Sequence, residues 1–210
     1  MPEAEPLYCH AVVFDVNVYL DVADLLGPPF TWEKFNAAAA RYQATPVGRD
    51  RRVDSLRSLA LTTTGRFAGP HLLQVWTSDH IEELVATKAS QPAIADHPDD
   101  RGLGWTADEA DDLVEDLIWA IVYDKSGGGR CPNVEIPYGC PPLSHEDGIV
   151  YRTAEQCGED GAIRYCVTSD TQFRCAVLPG AITVLYPREW VALVRKSRFA
   201  ASAPPRRPST

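Results

Sequence analysis

Two aspartates stand where short apolar runs give way to polar residues: Asp15 closes AVVFD, and Asp170 follows CVTS. In an open α/β sheet, ligands bind outside the carboxyl ends of the strands. An acid at such a place has a modest alternative duty, capping the helix that follows. Two at one edge, with helix-borne acids nearby, point instead to a pocket of carboxylates. Hard divalent cations prefer carboxylate oxygens and water, and they leave positions open for phosphate. A cation so held can polarise a phosphodiester, lower the pKa of an attacking water and hold the leaving oxygen. No Ser–His–Asp or Cys–His arrangement is needed for that chemistry. Crowded carboxylates also repel, so at least one pKa should rise until a cation relieves the crowding.

The elements that must position these acids are legible as an alternation. The valine-rich run AVVFDV, residues 11–16, has the pattern of a buried strand, and LLQVWT, residues 72–77, reads as a second. Ser78 can cap a helix that begins HIEELVATKA. Residues 106–124 give the clearest helix: Thr106 and Glu109 form a capping box, and Ala110, Leu113, Leu117, Ile118 and Ile121 recur at helical spacing. The Gly- and Pro-rich stretch 126–143 predicts a long loop, with Gly127 to Gly129 as a flexible turn. Ser144 to Glu146 start a helix running to about Cys157. AIRYCVTSD is a third strand, ending in Asp170. ITVLYPREWVALV gives a fourth strand and a last short helix with Pro187 at its start. Strands alternating with helices imply parallel pairing with both faces covered. One domain over residues 1–199 is expected, with a helical insertion at about 24–71 and a disordered Pro- and Ser-rich tail at 200–210.

Five segments, in order, resemble the PIN-domain ribonucleases. VVFDVNVYL resembles their opening strand, where Asp, one residue and then Asn begin the active site. TSDHIEELVATKA resembles the next strand–helix unit, whose helix supplies a Glu: Glu83 is the best match, with Glu82 as its neighbour. LSHEDGIVYRTA resembles the helix whose start supplies Asp147. YCVTSDTQF resembles the Thr-x-Asp strand end and places Thr168 and Asp170. ITVLYPREWVALV resembles the closing strand with its Pro and aromatic. The segments span residues 11–194, most of the chain.

That resemblance implies a PIN-like three-layer α/β sandwich with a central, mostly parallel twisted sheet. It also implies endonucleolytic cleavage of RNA with Mg²⁺ or Mn²⁺ as cofactor. Many bacterial members, the VapC-like group, are toxins of toxin–antitoxin pairs. The implied partners are an RNA substrate, a cognate antitoxin protein and a second copy of the chain. Asp15 and Asp147 would be ligands of the first metal, directly or through water, and Asp170 a third. Glu83 would hold a second metal or take a proton from the attacking water. Asn17 and Thr168 would orient carboxylates or phosphate by hydrogen bonds. The chain departs from the pattern in places: Glu146 beside Asp147 leaves that ligand open by one residue, and the loop from Ser126 to Leu143 and the insertion before Leu72 are longer than in minimal members. Many relatives carry an acid two residues past the Asp of Thr-x-Asp, and here that residue is Gln172, which favours one metal over two.

Composition sets outer bounds. Hydrophobic residues make up 45% and charged residues 23% of the 210, the balance of an ordinary globular chain. There is no run of about 18 apolar residues, so no membrane span is predicted, and the first residues lack a basic leader pattern. The cytoplasm is the expected compartment, with the six cysteines reduced. Cys131, Cys140 and His145 match no common zinc spacing, and Cys157, Cys166 and Cys175 recur every nine residues without a physical reason. His71, His80 and His97 are not paired at ligand spacing, and Asp99 and Asp100 read as a turn. The net charge of −9 opposes a broad basic surface, although two local basic stretches exist. One holds Arg49, Arg51, Arg52 and Arg57; the other holds Arg195, Lys196, Arg198, Arg206 and Arg207.

Two rival readings belong to other classes. A non-catalytic member of the fold would bind RNA or protein, and Gln172 favours it slightly. A phospho-acceptor receiver domain also carries acids at strand ends. It needs an adjacent acid pair after the first strand and a late Lys at a strand end. Phe14 precedes Asp15 and no such Lys is present, so this reading ranks far below.

Overall fold

A computed structural model of the chain describes residues 7–93, 102–132 and 134–202. Five parallel strands form one sheet in the order β3-β2-β1-β4-β5. They are β1 (Cys9–Phe14), β2 (Leu72–Thr77), β3 (Gly129–Arg130), β4 (Ile163–Val167) and β5 (Thr183–Leu185). Between β1 and β2 run α1 (Val16–Leu26), α2 (Trp32–Arg41) and α3 (Arg51–Thr62). Helix α4 (Asp79–Ser90) follows β2. Helix α5 (Ala107–Leu113) continues directly into a wider π-helical segment, Val114–Lys125. Helix α6 (His145–Gln156) precedes β4, the short α7 (Gln172–Cys175) lies between β4 and β5, and α8 (Pro187–Ser202) closes the described chain. The result is the three-layer α/β sandwich expected from the sequence, with helices on both faces.

The residues of β1 show why both faces must be covered. Successive side chains of a strand point to opposite sides. Phe14 meets Tyr19 of α1 and Trp190 of α8 edge-on, and His10 stacks on Phe67. On the other side, Ala11 packs so closely beneath Gly158, at the end of α6, that a Cβ at residue 158 would lie 2.8 Å from the Ala11 Cβ. Ala11, Val12, Val13 and Phe14 are all fully buried. A strand buried on both faces reads as a continuous apolar run, which is the pattern seen at these positions.

Several boundaries differ from the sequence reading, each for a local reason. Strand β1 ends at Phe14, and Asp15 is already the N-cap of α1, so Val16 is helical. The apolar character of AVVFDVNVYL does not change across that junction, which hid it. Strand β4 stops at Val167, because Thr168–Asp170 turn back on themselves: Asp170 N–H donates to Thr168 Oγ1 at 2.9 Å. The run Gly127–Gly129 is no flexible turn. Gly128 lies so close to β2 that a Cβ there would sit 1.8 Å from the Val75 carbonyl oxygen, and Gly129–Arg130 pair with Trp76–Thr77 as the edge strand β3. The last helix extends to Ser202, so residues 200–202 are helical, not disordered. The remainder of the predicted tail with Arg206 and Arg207, together with His97, Asp99 and Asp100, lies outside the described residues. Among the described residues no helix is long and apolar enough to cross a membrane.

Candidate active site

The sheet brings the ends of β1 and β4 side by side, with Phe14 opposite Val167. Asp15 and Thr168 follow those residues directly. Asp15 N–H donates to Val167 O at 2.9 Å, which ties the two strand ends together. The Asp15 side chain is only 3% exposed and makes no capping bond to α1, so the capping duty does not explain it. Instead its Oδ2 accepts from Thr168 Oγ1 at 2.6 Å and from Asn17 Nδ2 at 2.7 Å. Asn17 and Thr168 thus orient a carboxylate, as expected. The buried Asn17 Oδ1 has no partner.

Asp147 stands on the first turn of α6. Its N-cap, Ser144, accepts from Asp147 N–H at 3.1 Å and donates to Asp147 Oδ2 at 2.7 Å. Asp170 sits in the turn after β4, with Oδ1 accepting from Gln172 N–H at 2.7 Å. These three acids share one electrostatic environment. Burial pushes the Asp15 carboxyl up to about 7, the Thr168 bond pulls it the other way, and the charges of Asp147 and then Asp170 add to the rise. Burial also raises Asp147, opposed by the Ser144 bond and reinforced by the charges of Asp170 and Glu146. This is the mutual repulsion that converging carboxylates must show.

The glutamates separate into two roles. Glu82 is buried: its Oε2 accepts from Trp119 Nε1 at 3.0 Å and from the Arg130 guanidinium, which also reaches Asp79 at 2.6 Å. It joins α4, the π-helical segment and β3. Glu83 is exposed and lines a neighbouring depression of about 200 Å³ with Ser78, His80, Cys131 and Glu135. The link from that depression to the three aspartates is His80. Burial lowers its pKa, and the charges of Glu146 and Glu83 act against that. His80 in turn acts on Asp147, and the buried His80 Nε2 has no partner. The sequence reading set His80 aside. Its position two residues past the Ser78 N-cap, at the carboxyl edge of the sheet, was the signal available.

The other metal-ligand candidates do not join this group. Cys131 is buried with its Sγ 3.6 Å from Thr153 O, Cys140 is exposed, and His145 stacks on Tyr138. Among the described residues, no three His, Cys, Asp or Glu side chains are gathered into a ready metal cage. The charges of Asp147 and Asp170 act on Asp15, but the three form no such cage. A hydrated ion such as Mg²⁺ keeps several waters and needs only one or two carboxylates directly. The unpartnered Asn17 Oδ1 beside Asp15 offers one more neutral oxygen. No protein-family model matches the chain, and none of the curated proteins or solved structures matches it.

Proposed function

We propose that this chain is a divalent-metal-dependent endoribonuclease, working in the cytoplasm as the toxin half of a toxin–antitoxin pair. One observation carries the catalytic part of this reading. Asp15, a buried acid at a strand end, is held by two neutral side chains for a purpose other than capping, and the charges of two further aspartates act on it. The toxin setting follows from the five-segment resemblance to PIN domains. The cytoplasmic setting accords with six unpaired cysteines.

Asp15, Asp147 and Asp170 are the residues that would hold Mg²⁺ or Mn²⁺. The ion there would polarise the scissile phosphate and acidify a bound water. The protein's own groups prepare that state. With its pKa near 7, Asp15 carries a proton part of the time at neutral pH and must release it to act as a ligand. The Thr168 hydroxyl favours the ionised form, and Asn17 fixes the plane of the carboxylate. Ser144 holds Asp147 on the first turn of α6. Glu83 and His80 line the depression on the α4 side.

A catalytically weak RNA- or protein-binding module is the second reading. Gln172 in place of an acid, on the exposed first turn of α7, favours it. Incubation of purified protein with a structured RNA and Mn²⁺ separates the two. The nuclease cuts, EDTA stops it, and Asp15→Asn loses more than the 10- to 100-fold that removing an outer partner of a metal ligand costs. RNA left intact by the wild type under all conditions would favour the binding module.

A further inference from the structure

Helix α3, which begins in the first basic stretch, packs against α8, whose second residue is Arg188. Their first turns border a cleft of about 310 Å³. Arg51 and Arg188 line it, with Ser169, Thr171, Tyr186 and Asp54. Ser169 and Thr171 are the residues on either side of Asp170, so the cleft adjoins the turn that carries that carboxylate. We propose that this cleft is a second phosphate subsite. It takes a phosphodiester of single-stranded RNA next to the one that is cut, and in this it rests on the nuclease reading.

Not every arginine of the two stretches is available for this. Arg57 is buried and donates to the carbonyls of Tyr42 and Thr45, while Arg198 donates to those of Leu61, Phe67 and Arg66. Arg52 is paired with Asp24 at 3.0 Å. Arg188 is exposed and has no carboxylate within ion-pair reach among the described residues. Arg51 is paired with Asp21 at 2.7 Å, but its side chain is 66% exposed. Its partner Asp21 is buried and also accepts from Ser55 Oγ at 2.9 Å, so Asp21 keeps a donor when the exposed guanidinium turns to a phosphate.

The rest of the lining fits the same ligand. The Ser169 hydroxyl is buried without a partner and can donate. The amino ends of α3 and α8 add positive partial charge. Asp54 is the one acid of the lining. Its Oδ2 is engaged by Gly48 N–H at 2.8 Å, and Arg57 stands 3.9 Å from Oδ1. The Tyr186 ring lies beneath the guanidinium groups of Arg174, at 4.1 Å, and Arg188, at 5.4 Å. It therefore steadies Arg188 and is not an open platform for a base. In a chain of net charge −9, a polyanion must follow such local positive ground.

The test is the salt dependence of binding of a fluorescein-labelled single-stranded RNA in EDTA, for the wild type, Arg51→Gln, Arg188→Gln and Arg152→Gln. Arg152, on α6 and paired with Glu155, controls for bulk charge. Each lost phosphate contact should lower the slope of log K against log salt by about 0.7. Arg51→Gln and Arg188→Gln should each show that loss and, with Mn²⁺, a raised KM at unchanged kcat, whereas Arg152→Gln should match the wild type. If the wild type cuts RNA and Arg188→Gln keeps the full slope, the subsite is overturned and the nuclease stands. An equal loss in Arg152→Gln also overturns it. RNA held with an arginine-dependent slope but never cut removes the nuclease reading and supports the cleft as a phosphate site.

Discussion

Thr168 Oγ1 donates to Asp15 Oδ2 at 2.6 Å, joining residues 153 positions apart in the chain. The same oxygen accepts from Asp170 N–H at 2.9 Å. One buried hydroxyl therefore positions two of the three aspartates, and the adjacency of β1 and β4 makes this possible. Thr168→Val keeps the shape and removes the bond. A hydrogen bond to a charged group contributes about 1.5–3 kcal/mol, so urea denaturation at pH 8 should show a loss of that order. At pH 5, where Asp15 is protonated, the loss should be smaller. Equal losses at both pH values would mean that the hydroxyl acts only in packing.

The raised pKa of Asp15 makes stability depend on pH in a definite direction. Its folded value is about 7, and an unfolded aspartate titrates at about 3.9. The native chain thus holds the proton more tightly. That contribution is complete below pH about 4 and disappears as the pH rises through about 7. In EDTA the wild type should lose stability across this window. Asp15→Asn should lose less, because only the raised carboxyls of Asp147, Asp21 and Asp54 remain, and at pH 8 it should exceed the wild type by on the order of 1–3 kcal/mol. Thermal unfolding from pH 4 to 8 reads this out, and parallel curves for the two proteins would contradict it.

The neighbouring glutamates should separate cleanly. Glu82 ties Trp119 and Arg130 to α4 from a buried position. Its removal leaves Arg130 with Asp79 alone and the Trp119 Nε1–H without its acceptor, and Glu82→Ala should cost about 1–3 kcal/mol. Glu83→Ala changes an exposed residue and should stay within about 0.5 kcal/mol of the wild type while lowering RNA cleavage. Thermal unfolding alongside the cleavage assay decides it. A stable, inactive Glu82→Ala would reverse the assignment.

The sheet was readable wherever apolar runs were long enough. AVVF and LLQVW announce β1 and β2, and Thr106 with Glu109 announces α5 through a capping box that the fold retains. Strand β3 was not readable, because two residues with no apolar pattern form it and the close approach of Gly128 to β2 is a tertiary fact. The π-helical segment was hidden for a similar reason. Its apolar positions fit a helix, and the wider coil shows only in backbone bonds such as Ser126 N–H to Ile121 O, five residues back. At the site, residue type and strand end were enough to find Asp15 and Asp170. His80 escaped because its neighbours, Glu83, Glu146 and Asp147, come from two helices. The nine-residue spacing of Cys157, Cys166 and Cys175 has no structural counterpart: the first two are buried and the third is exposed.

Calorimetric titration of Mn²⁺ into the metal-free protein near pH 7 tests most directly whether Asp15, Asp147 and Asp170 act as one cation-binding unit. The wild type should bind the ion and release a proton, because Asp15 is part-protonated there. Asp15→Asn should bind at least tenfold more weakly with no proton release, and Asp147→Asn and Asp170→Asn should also weaken binding. Mn²⁺ taken up equally by the wild type and Asp15→Asn, or not taken up by the wild type at all, would contradict the account.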